Sequence, residues 1–349
     1  MIRELWYELL RAYISFGLRF YFKDIIVVGK EKLPKGKPII FLSNHQNAFL
    51  DALLIVTTNM GKIHFLTRSE VFGKKFYRWI LSTMRMIPIY RIRDGWDSLE
   101  KNAETFRLCN EAFSKGECVL LFPEGNHDQR RRVRPLSRGF TKIAFGAQAQ
   151  QTDLDLQIVP VGINYEHHHN FFKRVSIYYG DPIAVKAYHE ETNGANLLRE
   201  KVSEELKDLI VHIDDLPNHD EILKRIESSD LDLCDPVKVN QVLTDNNWSA
   251  SEGTKKTKSG LVDVLFFPFR IVFIILNFLP MSIWKSIRKK IKDPVMVTSI
   301  KVGVGIFIFP IMYLLQSLVV LVFTNALIAL GFLLVCIVSL PLTSLIDNR

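Results

Sequence analysis

The sequence predicts an α/β fold, a mixed sheet flanked by helices, joined to a C-terminal transmembrane helical region, and two observations carry that expectation. After Gly29, short apolar runs alternate with amphipathic stretches, the pattern of a sheet covered by helices. From Val302 to Ile346 no residue is charged, enough chain for about two bilayer crossings at 1.5 Å of rise per residue. The 349 residues divide accordingly into an interfacial helix at 1–28, an α/β domain at 29–228, a linker at 229–259 and a membrane region at 260–349.

Met1 to Lys23 lacks the layout of a cleavable signal peptide. Glu4, Glu8, Arg11, Ser15 and Arg19 share one helical stripe, and Leu5, Trp6, Leu9, Tyr13, Phe16 and Phe20 the other. Such a helix either lies in the membrane interface with Arg11, Arg19 and Lys23 near headgroups, or packs on the core. Strands are expected at Pro38–Ser43, His64–Thr67, Met86–Tyr90, Val119–Phe122, Leu156–Val161 and Val175–Tyr179. Helices are expected at Asn47–Thr58, Val71–Thr83, from about Trp96 to Phe113, and at Leu136–Gln148, Asn193–Asp215 and Asp220–Ser228. Ser229 to Ser259 loses periodicity and turns polar, which reads as a linker.

Beyond the linker, 302–323 and 325–346 read as a transmembrane hairpin turning near Thr324 and Asn325. The segment 261–284 carries Asp263, Pro268, Arg270 and Pro280. A simple crossing there would put Lys285, Arg288, Lys289, Lys290 and Lys292 across the membrane from the α/β domain, against the positive-inside tendency, so a re-entrant or interfacial helix pair is expected.

The formal charge of +8 does not come with the alternation of basic and aromatic residues that nucleic-acid binding would show. Anionic membrane lipids are the better partner for it. Cys109, Cys118, Cys234 and Cys336 have no paired spacing, so neither a disulfide framework nor a zinc site is expected.

The candidate chemistry begins at His45 and Asp51, just after an apolar strand. An imidazole titrates near neutrality, and a carboxylate fixes its tautomer and stabilises the imidazolium, so the pair suits a general base. Six positions apart on one helix they would face different directions, so His45 must sit in the turn before the helix with Asp51 reaching back to it. Backbone N–H groups at that helix start are candidate donors to an oxyanion.

Three further blocks follow in order: Ile87-Pro-Ile-Tyr-Arg91, Phe122-Pro-Glu-Gly125 and Ile158-Val-Pro-Val-Gly162. Their order and spacing over roughly 35–185 resemble the glycerol-3-phosphate and 1-acylglycerol-3-phosphate O-acyltransferase family. The resemblance implies a glycerolipid acyltransferase-like fold, with the acyltransferase domain at 29–228, and transfer of a fatty acyl group to a phosphorylated glycerol acceptor. The co-substrate would be acyl-CoA or acyl carrier protein, with no cofactor. It implies catalytic roles for His45 and Asp51 and substrate-binding roles for Arg91, Glu124, Gly125 and Pro160. Arg138, opening the next helix, is the expected second phosphate ligand. The family's usual spacer is four residues; the five-residue form here resembles a branch that includes glycerol-3-phosphate acyltransferases. Where the family often has Thr-Arg after Glu-Gly, this chain has Asn126-His127-Asp128, and His127 either replaces that arginine or caps the turn.

His167-His168-His169 reads as surface side chains rather than a metal site, because successive strand residues point to opposite faces. No Gly-x-Ser-x-Gly elbow is present, so single-step transfer is expected over a covalent acyl-enzyme. The alternatives are an acyltransferase for another lysolipid or hydroxylated lipid, a metal-dependent phosphoester hydrolase, and a non-catalytic lipid-binding scaffold. The leading expectation is an enzyme of phospholipid biosynthesis, an integral membrane protein with its catalytic domain on the cytoplasmic face.

Overall fold

A computed structural model describes residues 2–59, 61–73, 75–90, 100–246, 248 and 267–342. Eight strands form one sheet: β1 Asp24–Val28, β2 Ile39–Ser43, β3 Ile63–Arg68, β4 Met86–Ile89, β5 Cys118–Leu121, β6 Gln157–Tyr165, β7 Arg174–Tyr179 and β8 Ile183–Ala184. Their order is β1-β7-β6-β2-β5-β3-β4, with β8 paired to β6. The run β6-β2-β5-β3-β4 is parallel, and β6 pairs antiparallel with β7 and β8, which makes the sheet mixed.

The central strands are apolar on both faces because helices cover both. Ile39 and Phe41 point to the side of α1 (Ile2–Tyr21) and α2 (Phe49–Thr58). Ile40 and Leu42 point to the side of α4 (Asn102–Ser114), α5 (Gly139–Gln150) and α7 (Gly194–Leu209). Between them lie α3 (Lys75–Thr83) and the short α6 (Lys186–His189). At Gly162 on β6 a Cβ would stand 2.1 Å from the carbonyl oxygen of Leu209. The glycine of the fourth block therefore lets the end of α7 settle against the sheet.

Several features differ from the sequence reading, among them the helices expected at Asn193–Asp215 and Val71–Thr83, which run Gly194–Leu209 and Lys75–Thr83. Residues 24–28 are not part of an interfacial unit but strand β1, paired in parallel with β7, so the sheet begins before Gly29. Helix α1 has three stripes rather than two: Tyr7, Ile14, Leu18 and Tyr21 are buried on the core, while Leu5, Trp6, Leu9, Tyr13 and Phe16 are exposed. Lys62 and Arg85 pair with Glu4 at 2.9 and 3.1 Å and tie the helix to the sheet.

The expected linker is folded over its first half. After α8 (His219–Ser228), helix α9 (Pro236–Asp245) is capped by Asp235, and Leu233 and Val239 join Val211, Ile213 and Ile226 in a small separate core. Polar composition hid it because only a few apolar side chains are needed to seat a ten-residue helix on an existing domain. Residues 249–259 lie outside the described residues.

At the C-terminal end, α10 (Phe267–Arg288) is one continuous helix with Pro280 inside it, where a helix pair was expected. Neighbouring helices replace contacts that a proline costs in such an apolar setting. Residues 261–266 lie outside the described residues. The next helix, α11, runs Pro294–Phe323, 30 residues or about 45 Å, starting eight residues earlier than expected. It is long and apolar enough to cross a membrane. A π-helical segment at Val304–Ile308 lies within it, and the Ile306 carbonyl accepts a hydrogen bond from the Tyr13 hydroxyl of α1 at 2.5 Å. After a turn at Thr324 and Asn325, α12 (Ala326–Leu342) packs back on it, described over 17 residues.

Candidate active site

The site is built where the parallel strands end. Strand β2 runs out at Ser43, and the next side chain, Asn44, is buried and locked to β6, its Oδ1 accepting from Ile163 N at 2.8 Å and its Nδ2 donating to Ile163 O at 3.0 Å. That clamp fixes where the chain leaves the sheet. His45 follows, then a sharp turn in which Ala48 takes φ 47°, ψ −127°, a region L-residues rarely adopt. The turn folds Asp51, in the first turn of α2, back toward His45, whose Nδ1 lies 2.9 Å from Asp51 Oδ2.

Asp51 is fully buried, and both oxygens of its carboxylate accept hydrogen bonds. Oδ2 also accepts from Gln46 N and Asn47 N, both at 2.8 Å, and Oδ1 accepts from the Tyr165 hydroxyl at 2.6 Å. Both carboxylate oxygens are engaged as acceptors, so the hydrogen of the Nδ1–Oδ2 contact lies on Nδ1 of His45 and Nε2 is the nitrogen available to a substrate. Burial pushes the Tyr165 phenol well above its ordinary value, and the Asp51 charge pushes it the same way, so the hydroxyl remains a donor. The N–H groups of Gln46 and Asn47 are consumed by Asp51, and that of Leu50 is bonded within the turn, so these donors at the helix start are not the oxyanion donors expected of it.

The His45 side chain retains 16% exposure and stacks on Phe122, ring centroids 3.9 Å apart and planes 11° apart. Burial lowers the imidazole pKa below its ordinary value, partly opposed by the hydrogen bond and charge of Asp51. His45 is thus held as a neutral base over more of the pH range than free histidine.

Phe122 opens the second cluster, after β5. Glu124, 3% exposed in its side chain, pairs with Arg134: Nε and Nη2 of Arg134 lie 3.0 and 2.5 Å from Glu124 Oε2. Arg134 also bonds the side chain and carbonyl of Asn126. Burial raises the Glu124 carboxyl and Arg134 opposes that rise. Gly125 adopts φ +76°, which turns the chain so that His127 meets His45 edge-on, ring centroids 5.7 Å apart. His127 is held by Asp293 at the start of α11, Nε2 to Oδ2 2.8 Å.

The remaining expected residues fall elsewhere. Arg138 stands exposed at the N-terminal boundary of α5. Pro160 is buried inside β6 opposite Leu42, and its carbonyl accepts from Gly180 N at 2.9 Å. Neither contacts the His45 cluster. Arg91 lies outside the described residues.

Sequence reasoning missed Tyr165, Arg131 and Arg134 as members of the site. Arg131 is 2% exposed, bonds the Tyr165 carbonyl through Nη2 at 2.6 Å, and is pushed down to about 10 by burial. The basic run 130–134 was the visible signal, but nothing in it singles out which guanidinium turns inward. Of the histidine run, His167 is exposed as expected, whereas His168 Nε2 reaches Gln46 Oε1 at 3.2 Å and His169 bridges Thr298 and Gln129 at 3.1 Å each. Burial, with the Arg131 charge, drives the His168 imidazole well below its ordinary value.

These features define a class: an α/β protein with a preorganised, hydrogen-bonded histidine–carboxylate pair at the carboxyl ends of parallel strands, where such sheets bind their ligands. Over residues 24–164 the chain matches the family model described as Acyltransferase, and this segment is an acyltransferase-family domain. It is 30% identical over 198 residues to glycerol-3-phosphate O-acyltransferase 2 of Saccharomyces cerevisiae, covering 55% of this chain and 26% of the relative. Glycerol-3-phosphate O-acyltransferase 1 of the same yeast is 35% identical over 89 residues, 24% of this chain and 12% of the relative. The chloroplastic 1-acyl-sn-glycerol-3-phosphate acyltransferase BAT2 of Brassica napus is 29% identical over 126 residues, 36% of this chain and 34% of the relative. The chain thus spans about a third or less of these relatives' lengths. A crystal structure of the 1-acyl-sn-glycerophosphate acyltransferase PlsC from Thermotoga maritima is similar with a TM-score of 0.44 and 23% identity, over 59% of this chain and 80% of that one.

Proposed function

We propose that the protein moves a fatty acyl group from an acyl thioester, acyl-CoA or acyl carrier protein, to a hydroxyl of glycerol-3-phosphate or 1-acylglycerol-3-phosphate, at a membrane surface. The observation that carries this reading is the Nδ1 bond of His45 to a fully bonded Asp51, which leaves Nε2 as the base. Nε2 takes the hydroxyl proton as the alkoxide oxygen attacks the thioester carbonyl. The tetrahedral oxyanion collapses, the C–S bond breaks, and the thiolate takes the proton back from the imidazolium. Asp51 stabilises the imidazolium between these two transfers.

The acceptor's phosphate needs cations. His127 beside His45, Arg138 and Arg91 are the candidates, with Glu124 and Gly125 shaping that side. Since Glu124 is engaged by Arg134, its role here is to hold the Phe122–His127 turn in shape. An integral membrane setting is supported by the apolar exposed surfaces of α11 and α12 and by the exposed stripe of α1, and the cytoplasmic face is assigned from the basic cluster Lys285, Arg288, Lys289, Lys290 and Lys292 ahead of α11, by the positive-inside tendency.

The test is an assay with one labelled acyl thioester offered to glycerol-3-phosphate, lysophosphatidate and a phosphate-free lysolipid. Transfer to one or both phosphorylated acceptors, lost in His45→Ala while the variant stays folded and membrane-bound, is the expected result. Turnover retained in His45→Ala removes the mechanism. Transfer to the phosphate-free lipid alone removes the assigned acceptor class.

A further inference from the structure

Helix α2 presents Asp51 to His45, yet its own N-terminus has no local cap: the N-cap residue is Ala48, with no side-chain hydrogen bond. Leu50 N, which donates to Asn47 O within the turn, shares its hydrogen with a second acceptor 249 residues away. Ser299 of α11 places its hydroxyl in the turn, donating to Asn47 O at 2.5 Å and accepting from Leu50 N at 3.0 Å. This is the hydrogen bonding of an N-cap serine, supplied by a different helix. The adjacent Thr298 donates to His168 O at 2.7 Å, and His168 holds Gln46, the residue after His45. Asp293, one turn earlier, holds His127.

All three contacts land on segments bordering the base, and none on the sheet. The positive φ of Ala48 makes the turn costly to hold, and such conformations persist only where surrounding structure over-determines them.

We infer that Ser299 is a positioning residue for the catalytic turn, so that the apolar helix α11 is a working part of the active site as well as an anchor. The inference rests on His45 acting as the base. Removing the Ser299 hydroxyl lets the turn relax and Asp51 drift from His45. The hydroxyl bonds backbone atoms and neither side chain of the pair, so substrate binding is unaffected.

The experiment compares the full-length wild type with Ser299→Ala, Ser299→Thr and Ser317→Ala. Ser317 lies on the same helix and bonds Ala329 O at 2.7 Å, so its loss loosens the hairpin without touching the turn. Ser299→Ala is expected to lower kcat on the order of 10-fold with KM for donor and acceptor within about twofold, because misplacement of a base falls on the chemical step. Ser299→Thr restores the rate, and Ser317→Ala keeps it. Isotope-labelled histidine NMR reads the His45 pKa without turnover: in Ser299→Ala it falls, since the Asp51 contact that raises it is weakened. Wild-type kcat and an unmoved His45 pKa in Ser299→Ala overturn the inference. So does an equal loss of rate in Ser317→Ala, which would make the effect one of general stability. A wild type that transfers no acyl group but shows the His45 shift in Ser299→Ala counts against the function and not against the positioning.

Discussion

Two histidine–carboxylate pairs stand side by side in this protein and are built in opposite ways. In His45–Asp51 the carboxylate is buried, lies six residues from its histidine, and accepts four hydrogen bonds. In His127–Asp293 the carboxylate side chain is 45% exposed, lies 166 residues away at the N-cap of α11, and is held below the usual carboxylate range mainly by His127's hydrogen bond. The first pair is fixed in a low-dielectric setting, where electrostatics are strong and little reorganisation is needed. The second is screened and solvated. One is suited to move a proton on every turnover, the other to adjust charge beside it.

The sharpest break of this contrast is His45→Ala, expected to lower kcat by about 10²–10⁴ with the fold intact by circular dichroism. An effect no larger than that of His127→Ala would erase the distinction between the pairs. Asp51→Asn is expected to cost roughly 10² in kcat and also about 1–3 kcal/mol of stability by chemical denaturation, since an amide NH2 must now face either the two backbone N–H donors or the Tyr165 hydroxyl. His127→Ala is expected to raise KM for a phosphorylated acceptor by on the order of 10-fold while sparing kcat, the loss of one charge-assisted contact. Tyr165→Phe removes one donor from a carboxylate that keeps three, so a few-fold fall in kcat and about 1 kcal/mol of stability are expected.

What the sequence made legible follows sequence distance. The central strands and α2 announce themselves by continuous apolar runs and a local turn, and the His45–Asp51 pair lies within that turn. Strand β1 was hidden because Asp24–Val28 abuts the end of an amphipathic helix and pairs with β7, some 150 residues later. Tyr165 and Ser299 meet the His45–Asp51 turn across 114 and 249 residues, and no local pattern marks either. The histidine run was readable as residues but not as a brace, since the partners of His168 and His169 come from the His45–Asp51 turn, from α11 and from Gln129. Glu124 was visible as a motif position, whereas its engagement by Arg134 depends on how the basic loop folds over it.

The account stands or falls on His45 working as a neutral base steered by Asp51, and the pH dependence of kcat/KM reads this directly. Burial lowers the His45 pKa, and a base acts only when deprotonated. Activity should therefore rise with pH along a limb centred below the ordinary histidine value of about 6.5. In Asp51→Asn that limb should move lower still, because the carboxylate's opposing contribution is gone. A profile with no acidic limb, or a limb that Asp51→Asn leaves in place, would contradict the account.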